Sequence, residues 1–195
     1  MKKLIILFFI LLLKNSPISA DNLNEIKRIV IGNEDAKISI IAYESLTCSH
    51  CASFHREIYP KLKKDFIDKG LVKIEFRNFP LDIAAFNASK IAQCNSNQGL
   101  MILESLYSSQ SIWIKGGTIE EINNNLKKFI KEKGFDIDFD KCINDKEIED
   151  FVLNDRIEGV KNFKVDSTPT IIINNKKFEK TLNYKNLKKS LEKMI

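Results

Sequence analysis

Hydrophobic and polar positions follow two different periods along this chain. Ile38 to Ala42 is nearly all apolar and mostly β-branched, as a buried central strand requires. Val72, Ile74 and Phe76 alternate with Lys73, Glu75 and Arg77, which is the period of a strand. Between these two runs, from Cys48 to about Lys69, Phe54, Ile58, Leu62 and Phe66 recur on one side of a predicted long helix. Pro60 falls inside that helix and should kink it, because proline removes a backbone donor and crowds the preceding turn. Gly70 marks its end. Ile29 to Ile31 is a candidate for a first edge strand. The first third therefore reads strand, strand, helix, strand.

The middle of the chain changes period. From Leu81 to Phe163 the pattern is helical throughout, with one stripe at Ala84, Ala88, Ile91 and Cys94 and another at Leu100, Leu103 and Tyr107. Thr118-Ile119-Glu120-Glu121 is a capping box, followed at helical spacing by Ile119, Ile122, Leu126 and Phe129 and stopped at Gly134. Asp145 is a candidate cap for a further helix through Ile148 and Val152. These stripes are read as helical core.

The last third returns to strands. Thr170 to Ile173 is a short β-branched run, Asn174-Asn175 suits a tight turn, and Phe178 is expected in the returning strand. Tyr184, Leu187, Leu191 and Met194 define a closing amphipathic helix. The order is a β-α-β half, a helical block and a β-β-α half, an α/β class. The strands can share one sheet only if the helical block is an insertion. The expected boundaries are 1–20 for a leader, 21–80 and 164–195 for the two halves, and 81–163 for the insert.

Composition narrows the class. A charged fraction of 29% beside 44% apolar residues describes a globular protein. The leader carries Lys2 and Lys3, an unbroken apolar run from Leu4 to Leu13, and a polar stretch ending in Ile18-Ser19-Ala20. This is the pattern of a secretory signal peptide cleaved after Ala20. A spanning helix needs roughly 20 apolar residues, and Lys14 interrupts this run well short of that. Without Lys2, Lys3 and Lys14 the formal net charge falls from +5 to +2, too little for a phosphate-binding surface. Nucleic acid is not an expected partner. The mature protein is expected in an oxidising space, where cysteines form disulfides.

Candidate chemistry sits in Cys48-Ser49-His50-Cys51, directly after the turn out of the buried strand and at the start of the long helix. Free backbone N–H groups and the positive end of the helix dipole stabilise an anion there, so Cys48 is a candidate thiolate nucleophile. His50 is placed to donate a hydrogen bond to it or to lend positive charge. Cys51 lies one turn inward on the same side and can close a disulfide with Cys48 or resolve a mixed one. A zinc site is the competing reading of Cys-x-x-Cys. A closed site needs about four ligands, and only His50, His55, Cys94 and Cys142 remain to supply them. Haem attachment needs a histidine directly after the second cysteine, where Ala52 stands. No metal is assigned. His55, one turn beyond Cys51, is read as a surface or packed histidine and not as a catalyst. Ser167-Thr168-Pro169-Thr170 is a second signal, because proline directly before a buried strand is unusual unless its peptide bond is special. A cis bond at Thr168-Pro169 would turn the backbone toward the candidate site.

These residues resemble the DsbA-like thiol-disulfide oxidoreductases of bacterial envelopes over nearly the whole mature chain. Ala42 to His55 is similar to that family's active-site segment, Phe76 to Asp82 to its next strand and exit, and Asp166 to Asn174 to its cis-proline loop and following strand. The resemblance implies a thioredoxin fold with an inserted all-helical domain. It implies attack by Cys48, resolution by Cys51, a disulfide destabilised by His50, and a substrate groove lined by Thr168 and Pro169. Departures from the family pattern are Ser49 where proline is frequent, Ser167 where glycine is common, and Ala42 where an acid is frequent, with Glu44 on the same side of the strand two residues later.

The function this implies is that of an oxidase that introduces disulfides into cysteine-containing envelope proteins as they fold. It needs no bound cofactor and is reoxidised by a membrane partner of the DsbB type. A disulfide isomerase or reductase on the same fold, and a metal-binding envelope protein, are the rivals. Only about eight residues separate Ala20 from the first strand, too few for a helical dimerisation arm, so a monomer is expected. Cys94 and Cys142 both fall in the insert, and an oxidising compartment favours a structural disulfide between them. Two buried free thiols are the alternative.

Overall fold

The computed structural model describes residues 26–195; the expected leader lies outside the described residues. Strands β1 (Ile29–Ile31), β2 (Ile38–Glu44), β3 (Val72–Asn78), β4 (Thr170–Ile173) and β5 (Lys176–Lys177) form one five-stranded sheet in the order β1-β3-β2-β4-β5. Only β2 and β3 run parallel; the other pairs are antiparallel. A parallel pair needs a crossover, and the helix after Cys48 supplies it. The apolar run of β2 is central: Ile40 pairs with Ile74 on one side and Ile173 on the other, and Ala42 with Phe76 and Ile171. Both faces of β2 are covered, which is why its sequence does not alternate.

The crossover helix is where the expected kink takes a particular form. It runs as α1 (Ser49–Ser53), a π-helical stretch Phe54–Ile58, α2 (Tyr59–Leu62) and a second π-helical stretch Lys63–Ile67. Pro60 lies inside this continuous run, directly after the first π-helical stretch, whose widened turn makes room for its ring and its missing N–H. Phe54, Leu62 and Phe66 stay on the buried side despite the change of winding. Gly70 ends the element with φ of 71°, a left-handed turn open to glycine at little cost.

The helical block occupies the chain between β3 and β4. It comprises α3 (Ile83–Gln93), α4 (Gly99–Ser108), α5 (Gln110–Trp113), α6 (Ile119–Glu132), α7 (Phe139–Asn144) and α8 (Lys146–Phe163). Four of the starts are capped by side chains: Asp82 caps α3, the Thr118–Glu121 capping box opens α6, Asp138 caps α7 and Asp145 caps α8. Cys94, at the end of α3, is joined to Cys142 of α7 by a disulfide with a Cα–Cα distance of 5.7 Å. The closing helix α9 spans Tyr184–Leu191.

Two apolar layers sandwich the sheet. On one face Ile38, Ile40, Ile74, Phe76 and Ile171 merge with Phe54, Leu62, Ile91, Leu106, Leu187 and Leu191 into the main core. On the other, Ile41, Tyr43, Phe79, Val165 and Ile172 form a smaller layer, with Phe163 of α8 packed against it. A Cβ built on Gly159 of α8 would stand 2.8 Å from the Tyr43 ring, so glycine lets the helix approach the sheet.

Three expected positions differ. Met194 lies beyond α9 and is 46% exposed, because the apolar stripe runs out at Leu191. Ile119, in the first turn of α6, is 40% exposed, since a helix start lies at the edge of the block. Phe178 follows β5 and only extends its pairing, its N–H donating to the Ile171 carbonyl at 2.9 Å. The turn at Asn174-Asn175 has φ of 45° and 64°, the tight hairpin geometry that asparagine tolerates.

Candidate active site

The candidate site forms where β2 ends and α1 begins. Cys48 is the N-cap of α1 and half-buried, Ser49 and His50 are exposed, and Cys51 is fully buried. Both Cys48 and Cys51 are free thiols. The turn into the helix is closed by the Cys48 N–H donating to the Ser45 carbonyl at 3.0 Å. Across the sheet, the Thr168-Pro169 peptide bond is cis, and Cys48 Sγ, in its thiol form, donates to the Thr168 carbonyl at 3.3 Å. The fold thus brings together Cys48 and Thr168, 120 residues apart.

The two thiols have opposite acidities. Cys48 is drawn down to about 5, chiefly by the hydrogen bond from the Cys51 thiol. Burial opposes this, while Thr168 and the backbone N–H groups of Cys51 and His50 reinforce it. These N–H groups belong to the first turn of α1, the unpaired donors that make a helix start an anion site. Cys51 is pushed up, first by burial, then by its hydrogen bond to Cys48 and by the nearby Glu44 carboxylate. One cysteine is therefore a thiolate at neutral pH and the other a thiol. His50 supplies this site with its backbone N–H.

A groove of about 460 Å³ lies between His50 and the Thr168-Pro169 loop. His50, Phe54, Thr168, Pro169, Leu182 and Tyr184 line it. The second histidine takes a different place. The His55 side chain is only 6% exposed, and its Nε2 lies 2.8 Å from Glu44 Oε2. Its ring stacks on Tyr107 at 4.2 Å between centroids. It is packed, one of the two placements expected for it. Glu44 and His55 together put a polar pair behind Cys51, which the helical pattern of α1 did not announce.

Sequence reasoning also missed the residues that hold the loop. Thr47 Oγ1 donates to Asp82 Oδ2 at 2.7 Å, and the Leu81 N–H donates to Ser45 Oγ at 3.3 Å. Gln110 Nε2 donates to the carbonyls of Leu46 and Cys48 at 2.7 and 3.1 Å. Asp82 had a signal, a capping residue before a helical run. Gln110 had none, being one of four consecutive polar residues, Ser108 to Ser111, between apolar stripes. Among the described residues, no group of three or more His, Cys, Asp or Glu side chains is arranged to hold a metal ion. Nor is any helix among them long and apolar enough to cross a membrane.

The family described as Thioredoxin matches residues 24–193 of the chain. The chain belongs to the thioredoxin family. Within that family it is DsbA-like, a protein-disulfide oxidoreductase. It is 27% identical over 176 residues to disulfide bond formation protein D of Bacillus subtilis, covering 85% of this chain and 76% of that protein. The crystal structure of Wolbachia pipientis alpha-DsbA1 superposes with a TM-score of 0.77 at 27% identity, covering 89% of this chain and 93% of the other. Oxidised BdbD from Bacillus subtilis matches with a TM-score of 0.69 at 23% identity, over 88% of this chain and 95% of its own, which is a likeness of fold. Like these neighbours, this thioredoxin-family chain carries a helical insert between the two parts of its sheet.

Proposed function

We propose that this thioredoxin-family protein is a dithiol oxidase, with Cys48 as the attacked and attacking sulfur and Cys51 as the resolving one. The observation that carries the reading is the split in acidity between the two thiols, with Cys48 near 5 and Cys51 pushed up. In the oxidised enzyme a substrate thiolate attacks Cys48 Sγ and the Cys48–Cys51 bond breaks. Cys51 leaves and takes up a proton, because its buried site favours the thiol. A second substrate thiolate then attacks the substrate sulfur of the mixed disulfide, and Cys48 leaves as a thiolate. The substrate gains a disulfide and the enzyme gains two electrons. A stabilised leaving thiolate pulls the exchange toward reduced enzyme, which makes the enzyme disulfide an oxidant.

Thr168 and Pro169 are assigned to the substrate groove, the Thr168 carbonyl standing beside Cys48. His50 is assigned to the Cys48 site through its N–H, with its exposed side chain at the mouth of the groove. The substrates in this reading are cysteine-containing proteins folding in the periplasm, reached through a cleaved leader at residues 1–20. Reoxidation falls to a membrane partner of the DsbB type, and the protein acts as a monomer without a bound cofactor. The disulfide between Cys94 and Cys142 is assigned a structural role, because both lie within the helical insert of 81–163, between the two parts of the fold.

The test is oxidation of a reduced, unfolded dithiol protein by stoichiometric oxidised enzyme. Rapid substrate oxidation with loss of the Cys48–Cys51 disulfide is expected, and Cys48→Ser should abolish it. An enzyme that reshuffles mispaired disulfides but leaves reduced dithiols untouched is an isomerase, and the oxidase reading would fail.

A further inference from the structure

The turn that carries Cys48 is held from outside the sheet. Leu46 and Cys48 present their carbonyls to one amide, Gln110 Nε2, at 2.7 and 3.1 Å. Gln110 is the first residue of the short helix α5, in the helical block, more than 60 residues along the chain. Its own position is fixed from both sides. Tyr107, one turn earlier, is buried and stacked on His55. Trp113, one turn later, is fully buried, and its indole N–H donates to the Leu106 carbonyl at 2.9 Å. An amide on such a base reaches the loop in one orientation.

We propose that Gln110 is a positioning residue through which the helical insert sets the acidity of Cys48. The inference rests on the reading of Cys48 as the reactive thiolate. Carbonyl oxygens carry partial negative charge, and two of them flank the residue just before the nucleophile. The Gln110 amide draws both toward the insert and offsets that charge with its own N–H groups. By fixing Leu46 and Cys48 it also fixes the direction of the His50 and Cys51 N–H groups that meet Cys48 Sγ. A loop left free to rock would aim those donors less well, and directed hydrogen bonds weaken steeply with misalignment. The charged and titratable groups near this turn are Cys51 and His50 on α1, Glu44 at the end of β2 with His55 paired to it, Tyr107 on α4, which faces Cys48, Cys51 and Glu44, and Asp82 before α3, the last bonded to Thr47. None of them occupies the place of Gln110.

The test uses Gln110→Met, which keeps the length of the side chain and removes its donors, beside Gln110→Glu, which keeps the shape and adds a negative charge. The Cys48 thiolate is titrated by alkylation rate against pH in the reduced full protein, and the exchange equilibrium with glutathione is measured. Gln110→Met should raise the Cys48 midpoint by about one unit and weaken oxidation in the glutathione equilibrium by about tenfold. Gln110→Glu should raise the midpoint further. Thermal melts of each oxidised variant separate positioning from support. An unchanged midpoint with a lowered melting temperature would make Gln110 a structural contact only and overturn the proposal. The oxidase reading fails separately, if the unsubstituted protein does not oxidise dithiols.

Discussion

Glu44 and His55 meet in the interior, Oε2 to Nε2 at 2.8 Å, with 3% and 6% of their side chains exposed. They sit at the end of β2 and on the crossover helix, so the pair ties the sheet to the helix that carries Cys51. The Glu44 carboxylate is also close enough to push the Cys51 thiol up, after burial and the Cys48 hydrogen bond.

Breaking this pair on one side should be worse than replacing it whole. His55→Phe removes the hydrogen-bond partner of the buried Glu44 Oε2 and should cost about 1–3 kcal/mol. Adding Glu44→Leu to that variant should restore part of the loss, because the buried polar group left unpaired is then gone. Urea unfolding of the two single variants and the double variant gives the coupling, and simple additivity would show that the pair is not an energetic unit.

The Cys48 midpoint, followed by alkylation rate against pH, should lie near 5. His50→Ala should leave it well below the free-thiol value of about 8.5, because the residue at 50 keeps the backbone N–H that reaches the sulfur. Return to the free-thiol value would mean that the imidazole, and not the helix start, holds the anion.

Cys48 should add a pH dependence of stability that the reduced protein has and the oxidised one lacks. The folded Cys48 is depressed to about 5, so between that pH and the unfolded thiol value the unfolded chain binds one proton more than the folded chain. Stability from this group is complete above about pH 9 and is lost as pH falls through 5. Cys51, pushed up, stays protonated in both states below about pH 8 and adds nothing there. Melting temperatures of the reduced protein relative to the oxidised one should therefore rise from pH 5 to pH 8. A constant difference would contradict the assigned acidity.

Removing the insert disulfide with Cys94→Ala and Cys142→Ala should cost about 2–4 kcal/mol, since the bond closes a separation of 48 residues. Urea unfolding of the oxidised proteins checks it. The Cys48 midpoint should not move, because the bond ties α3 to α7 and not to the turn before α1.

Gly159→Ala should destabilise despite alanine's better helix propensity. Its Cβ would stand 2.8 Å from Tyr43, whose ring is fully buried between Phe79 and Phe163. About 1–3 kcal/mol is expected from overpacking, read as a lower denaturant midpoint.

Local order was written in the sequence. The β-branched run Ile38–Ala42, the alternation Val72–Arg77 and the capping box at Thr118 each report a residue's own geometric preference and its neighbours within one turn. So does the place of Cys48 at a helix start, where the free N–H groups come from the next residues in the chain. Contacts between distant segments were not written in this way. Pairing Cys48 with Thr168 at 120 residues' separation, and holding the loop with Gln110, depend on how the sheet closes around β2 and where the insert folds back. Nor does a period of 3.6 residues show that the crossover helix widens around Pro60, or that His55 turns inward to meet Glu44. Those outcomes were decided by packing, because a buried polar group takes the partner that the whole fold brings within reach.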